Sequence, residues 1–349
     1  MVLGDGIRRN IATVSKEERD LFIDAVKQLN RIQYNLTSSK TDFPAGHVSY
    51  WFKQDDIHQS SHVHNCPGFI SWHREMCNRY ESLLRTIHSE LSLHYWDWNC
   101  DPSAISDGQG GVVNLFDADF MGNADDTVNE GSMAAIPPIF SIDKPGPNDT
   151  STWRYPSNFN PADPPKTLTR GKSAGRPAVG GPRWPKDEDI LNANTSEQFR
   201  ALIERAHNQA HGYIGGNLGN PHISFRDPFV FLLHSNVDRL WAIWQLQPGH
   251  VERLDPNQVY NTESNSTGDV EIGRPFWGIL SPLEPWAGFT AQTTATGIIK
   301  NLLPIRPWFA PENKEHMTGN YKTALDVSVV TLPSYDTAPH SGSPHGYQY

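Results

Sequence analysis

The segment 227–245, DPFVFLLHSNVDRLWAIWQ, constrains the fold more than any other stretch of this chain. Read as a helix it is apolar nearly all round, so it has no face to give to water and must lie among other helices. It also carries His234 in its interior, and burying an imidazole without a partner costs on the order of 1–3 kcal/mol. Either hydrogen bonds inside the core satisfy that ring or a metal ion does.

Helices able to surround it can be read along the chain. Segment 15–32, SKEERDLFIDAVKQLNRI, sets Ser15 and Glu18 at capping-box spacing and places Leu21, Phe22, Ala25, Val26 and Leu29 at helical intervals. YWFKQDDIHQ at 50–59 reads as a second helix. FISWHREMCNRYESLLRTIHSEL at 69–91 reads as a third, with Trp72, Met76, Tyr80, Leu83, Leu84 and Ile87 along one side. In 195–214, TSEQFRALIERAHNQAHGYI, Thr195 or Ser196 can cap a helix whose buried face is Phe199, Leu202, Ile203 and Ala206. Between 101 and 185, and again after Pro304, neither helical nor strand period survives; LDVSVVTL at 325–332 is the one strand-like piece. With 27 glycines and 27 prolines in 349 residues, much of the chain must be loop. The expectation is a mainly α protein with long irregular loops and little β. A single domain over 1–310 would carry a C-terminal extension, 311–349, packed on it or flexible.

Charge removes some functions. A formal charge of −10 and the absence of a Lys/Arg run argue against a nucleic-acid partner. Residues 1–20 lack the apolar core of a signal peptide, and no later segment approaches the roughly 18 apolar residues of a membrane helix. A cytoplasmic chain with no membrane partner, or a secreted one already processed, is expected; the oligomeric state stays open. The three cysteines, Cys66, Cys77 and Cys100, imply no disulfide framework and read as buried thiols.

The histidines carry the chemistry. HVHNCPGFISWHRE, 62–75, sets His64 and His73 nine positions apart around a helix start, with His62 beside the first. His207 and His211 lie four apart, so both rings leave one helix face and can converge on one ion. Chance alone supplies roughly 0.6 such pairs among 15 histidines in this length, so that spacing has weight only with its context. The context is two all-histidine groups on helices, which points to a binuclear site inside a bundle. No CxxC and no HExxH is present, and imidazole donors favour copper most strongly among the divalent ions they suit.

These residues resemble a known family. HNCPGFISWHRE is similar to the first copper motif of the tyrosinase, catechol oxidase and o-aminophenol oxidase family, and AHNQAHGYIGG with DPFVFLLHSNVDRLW resembles the two halves of its second. IRRNIATVSKEERDLFIDAV and LSLHYWDWNCDP also look like the family, so the resemblance spans about 7–250 in five ordered motifs. It implies a four-helix bundle, a pair of type-3 copper ions, dioxygen as co-substrate and a small phenolic substrate. Carried over by position, it implies His207, His211 and His234 at copper B, and His64 and His73 at copper A. The third copper A ligand would be His58, with His47 as the runner-up and His62 behind it.

The resemblance also implies a proton path for monophenols, in which Asn208 and a nearby carboxylate hold a water. Glu204 is the candidate, ahead of Glu197, unless it lies on a solvated helix face. Gly212 after the second copper B histidine implies an open site. Asn236 and Asp238 are candidates to orient the imidazoles, but Asp238 reads better as the partner of Arg239, with Arg8 or Arg9 reaching it across the bundle. The chain departs from the family at Leu233, where a histidine is usual, and at His94, where a proline is usual. Cys66 follows His64 rather than preceding it, so no thioether to histidine is expected. An oxygen carrier is the first competing function, disfavoured because the chain after the bundle is too short for a shielding domain. A zinc hydrolase is the second, disfavoured because neither motif offers a carboxylate ligand.

Overall fold

The computed structural model describes residues 3–34, 48–61, 64, 68–117, 119–122, 134–135, 169–170, 184–221, 223–255, 283 and 334–336. Its helices are α1 (Lys16–Arg31), α2 (Tyr50–Ser61), α3 (Phe69–Ile87), a short α4 (Asp187–Leu191), α5 (Ser196–Ile214) and α6 (Phe229–Gln245). The described strands are pairs of two residues each, all antiparallel: Gln33–Tyr34 with Val48–Ser49, Ile105–Ser106 with Val112–Val113, and Ala134–Ala135 with Thr169–Arg170. Among the described residues no helix is long and apolar enough to cross a membrane.

α6 is the hub, buried along its whole length as its composition requires. α3 and α5 pack directly on it, α2 reaches it through the turn at Ser224–Arg226 and by Trp51 against Phe231, and α1 lies on α2 and α3. Aromatic rings fill the spaces between helices: Trp51, Trp72, Trp96, Trp98, Trp241 and Trp244 are all buried. Tyr80 of α3 stacks on Phe231 of α6 with centroids 3.6 Å apart.

The helix ends follow local chemistry. Ser15 Oγ accepts the Glu18 N–H at 3.1 Å, half of the expected capping box. The Glu18 carboxylate instead accepts from His94 Nε2 at 2.7 Å, and His94 Nδ1 accepts the Arg9 N–H at 3.0 Å. His94, where the family usually has a proline, thus ties the N-terminal segment to α1. Thr195 caps α5 by accepting the Gln198 N–H. α3 stops at Ile87, short of the expected 91: His88 turns extended, and Arg85 Nε donates to the Leu91 carbonyl at 2.7 Å to hold the reversed chain. α4 was not expected, because five residues are too few to display a helical period.

Long-range ties close the domain. The N-terminal segment lies between two others: Tyr95 N–H donates to Arg9 O at 2.8 Å on one side, and Arg8 N–H to Ser334 O at 2.8 Å on the other. Ser334–Asp336 is thus paired with the N-terminal segment, Asp336 N–H donating in turn to Arg8 O. Arg170, fully buried, grips Asp227 with two bonds of 2.6 Å and donates to Met121 O and Gly122 O. That pair anchors the irregular region to the start of α6. The strand-like 325–332, together with His47, His62 and Cys66, lies outside the described residues.

Candidate metal centre

Six histidines converge as two triplets, and within each triplet one nitrogen per ring lies within 4.8 Å of the others. The first is His58 from the last turns of α2, His64 between α2 and α3, and His73 one turn into α3. The second is His207 and His211 from one face of α5 with His234 from the middle of α6. The triplets adjoin: His73 and His234 stack face to face, centroids 4.6 Å apart and planes 4° from parallel. His64 lies 5.8 Å from His207 in a looser stack.

The protonation of four of the rings follows from their hydrogen bonds, since an amide or carbonyl oxygen only accepts. His73 Nδ1 donates to Phe69 O at 2.6 Å and His234 Nδ1 to Val230 O at 2.9 Å, both one turn back on their own helix. His211 Nδ1 donates to Leu218 O at 2.7 Å. That carbonyl is brought back over α5 by Gly215 and Gly216, whose φ of 65° and 59° fall in the left-handed region open to glycine. His207 Nδ1 meets Asn208 Oδ1 at 2.9 Å. With Nδ1 protonated, each Nε2 carries a lone pair.

Those lone pairs face one another. His207 Nε2 lies 2.9 Å from both His211 Nε2 and His234 Nε2. His73 Nε2, buried, has no hydrogen-bond partner among the described residues. One remedy is to protonate a ring, but burial, and then the neighbouring imidazoles, hold His73, His207 and His234 well below the ordinary value of 6.5. Burial likewise lowers His211 to about 4. The other remedy is a cation at the centre of each triplet, which converts repulsion into coordination. Neutral imidazoles with inward lone pairs fit a metal of nitrogen preference, and no carboxylate belongs to either triplet.

The matrix around the rings was only partly foreseen. Phe225, in the 3-10 turn Ser224–Arg226, stacks on His58 at 4.2 Å and touches His234 at 5.0 Å, walling both triplets on one side. The next residue, Arg226, donates to Asp55 Oδ2 at 2.9 Å, tying that turn to α2 one turn before His58. A short turn leaves no periodic signal, so sequence alone could not flag either residue. Asn236 and Asp238 do not orient the imidazoles; backbone carbonyls and Asn208 do. Nor does Asp238 pair with Arg239, because adjacent residues leave a helix about 100° apart and do not face each other. Arg239 sits over the Tyr95 ring and donates to Asn236, whereas Asp238 meets Arg74, Arg8 and Tyr335. Of the two arginines considered, Arg8 is the partner; Arg9 pairs with Asp5.

Asn208 is exposed beside His207, and Glu204 one turn earlier is buried rather than solvated, with Arg200 Nη1 at 3.3 Å from its carboxylate. Glu197 is exposed in the first turn of α5. A Cβ built on Gly212 would meet nothing within 4 Å among the described residues.

Residues 37–247 match the family model for the common central domain of tyrosinase. The chain belongs to the tyrosinase family. Its relatives include the tyrosinase of Streptomyces glaucescens, 27% identical over 307 residues, 82% of this chain and 99% of that one. Grixazone synthase of Streptomyces griseus is 24% identical over 80% of this chain and 93% of its own. A haemocyanin of Enteroctopus dofleini is 26% identical over 68% of this chain but only 8% of its own. Among solved structures, a variant of the polyphenol oxidase from Thermothelomyces thermophila superposes with a TM-score of 0.59 at 19% identity, covering 94% of this chain and 87% of that one. The fold is thus the mainly helical one of this family, and the cofactor of a tyrosinase-family chain is a pair of copper ions with dioxygen as co-substrate.

Proposed function

We infer that this chain is a type-3 copper oxidase of small phenols, with copper A on His58, His64 and His73 and copper B on His207, His211 and His234. The single observation that carries the reading is the convergence of the six rings as two triplets, with His73, His207, His211 and His234 each held by an oxygen on Nδ1 in the tautomer that turns Nε2 inward. When bound, the copper pair supplies dioxygen activation and accepts two electrons from an o-diphenol or o-aminophenol, with ortho-hydroxylation of a monophenol as the more demanding reaction.

The chain's own residues do the rest. The Nδ1 bonds prevent the rings from rotating, and burial excludes the protons that would compete for the same nitrogens. Asn208 has its Oδ1 turned to His207, which leaves only its NH2 to donate outward; it can hold a water but cannot take a proton. Glu204 is therefore the group we assign to receive the phenol proton through that water. The space over Gly212 and the exposed edge of α5 support access for a substrate ring and favour oxidase over oxygen carrier.

The test is oxygen uptake by copper-loaded protein with a monophenol, the matching catechol and an o-aminophenol in parallel. Uptake with all three, after a lag for the monophenol, is expected of an enzyme with a working Asn208–Glu204 path. Uptake with catechol and aminophenol alone removes that path from the reading. None from protein carrying both coppers replaces the enzyme with a carrier.

A further inference from the structure

Directly behind the stacked His73–His234 pair lies a buried charge cluster that the chemistry above does not use. Arg74 follows His73 on α3, and Asp238 sits one turn beyond His234 on α6. Arg74 Nε donates to Asp238 Oδ1, Arg74 Nη1 donates to Gln245 Oε1 at 2.9 Å, and the guanidinium stacks over Trp241 at 3.8 Å. The other carboxylate oxygen, Oδ2, receives Arg8 Nη1 at 3.0 Å and lies 2.9 Å from the Tyr335 hydroxyl. That hydroxyl is also 3.0 Å from Ser235 O, the residue after His234. Arg8 continues to Glu81 of α3, with bonds of 3.2 and 3.0 Å. Arg8, Arg74 and Asp238 are each no more than 1% exposed.

We propose that Asp238 is a positioning residue for the binuclear centre: its carboxylate, gripped by Arg74 on one oxygen and by Arg8 and Tyr335 on the other, sets the separation between the helix bearing His73 and the helix bearing His234. The proposal rests on the ligand assignment above. Apolar contacts alone let two helices slide by fractions of an ångström, because packing energy changes slowly along a ridge. A planar guanidinium bonded to a carboxylate has one length and one angle. Placed one residue from His73 and one turn from His234, that geometry is transmitted to both rings. The Tyr335 hydroxyl brings a segment about a hundred residues downstream into the same adjustment, so the C-terminal extension contributes to the metal centre without touching a ligand.

The experiment compares parent, Asp238→Asn, Tyr335→Phe and Arg74→Lys proteins for copper content, copper affinity, melting temperature and the fraction of Cu(II) visible by electron paramagnetic resonance. Two cupric ions held at close, fixed separation couple and are silent; ions allowed to drift apart are seen. The expected result for Asp238→Asn is affinity lower by roughly 10–100-fold, the range that outer partners of metal ligands command, with visible Cu(II) appearing. Tyr335→Phe and Arg74→Lys, which keep the charges, should shift the same two readouts less. If Asp238→Asn does not fold, those two variants decide. Lower melting temperatures with parent-like affinity and silent copper in every folded variant would overturn the proposal, leaving the cluster a brace for the fold. A parent protein that fails to take up two coppers would instead refute the ligand assignment on which it rests.

Discussion

The second triplet takes its three rings from two helices, α5 and α6, and each Nδ1 is bonded to an oxygen of the same or a nearby segment. The first takes His58 and His73 from α2 and α3 but His64 from the link between them. His73 of the first and His234 of the second use the same device, the carbonyl one turn back. A centre built on regular helices inherits their precision, whereas one that borrows from a connecting segment depends on what braces that segment. Among the described residues, Phe225 and the Arg226–Asp55 pair brace α2, which carries His58.

Exchanging a ligand in each triplet tests this contrast most strongly. His234→Ala and His64→Ala should both abolish oxygen uptake with catechol. Each change leaves two rings. The pair left by His64→Ala, His58 and His73, stands on two helices and should retain copper A weakly, whereas His234→Ala leaves two rings of one helix and should halve the copper content. Equal loss from both would erase the difference. Next in size, Asp55→Asn removes a buried partner of Arg226 and should cost about 3–5 kcal/mol in urea unfolding, with copper A the more depleted site.

Acid should also distinguish folded from unfolded chains once the copper has been chelated away. Unfolded imidazoles take protons near 6.5; in the fold His211 does so at about 4, and His73, His207 and His234 well below their ordinary value, all chiefly through burial. Between those limits the unfolded state binds more protons. Stability is therefore complete above about 6.5 and falls as pH drops through the interval, which a series of urea midpoints would read. A flat midpoint from 7 to 4 contradicts the burial of the triplets.

Two smaller changes act on the second triplet alone. Asn208→Ala takes away the acceptor for His207 Nδ1 and should weaken copper B by roughly 10–100-fold with copper A unchanged, measured by competitive chelation. Gly215→Ala forces a side chain into φ 65° and should cost about 1 kcal/mol, loosening Leu218 O from His211. A parent-like melting temperature for that variant would mean the loop is adaptable and the His211 bond incidental.

The helices around the site were legible because burial imposes a period: the apolar face of α1, the all-apolar α6 and the Thr195 cap of α5 each follow from residues in local order. His207 and His211 belong to the same class, since four positions along a helix fix their convergence. Their assembly with His234 was expected from the family resemblance and from a polar ring in an apolar helix. Of the partners considered for Asp238, Arg8 is met across the bundle, whereas Arg239, favoured by proximity in sequence, is excluded by its direction along the helix.

By itself the sequence determined the local elements, the helical spacing that lets His207 and His211 converge, and the motifs by which the family is recognised. Only the tertiary structure brings His58 beside His64 and His73, sets carbonyls on three of the rings and gathers Arg8, Arg74 and Tyr335 on one carboxylate. The physical reason is that helical period and capping are short-range properties, expressed within a few residues. A hydrogen bond between positions 8 and 238, or an aromatic wall from a three-residue turn, exists only once the whole chain has packed.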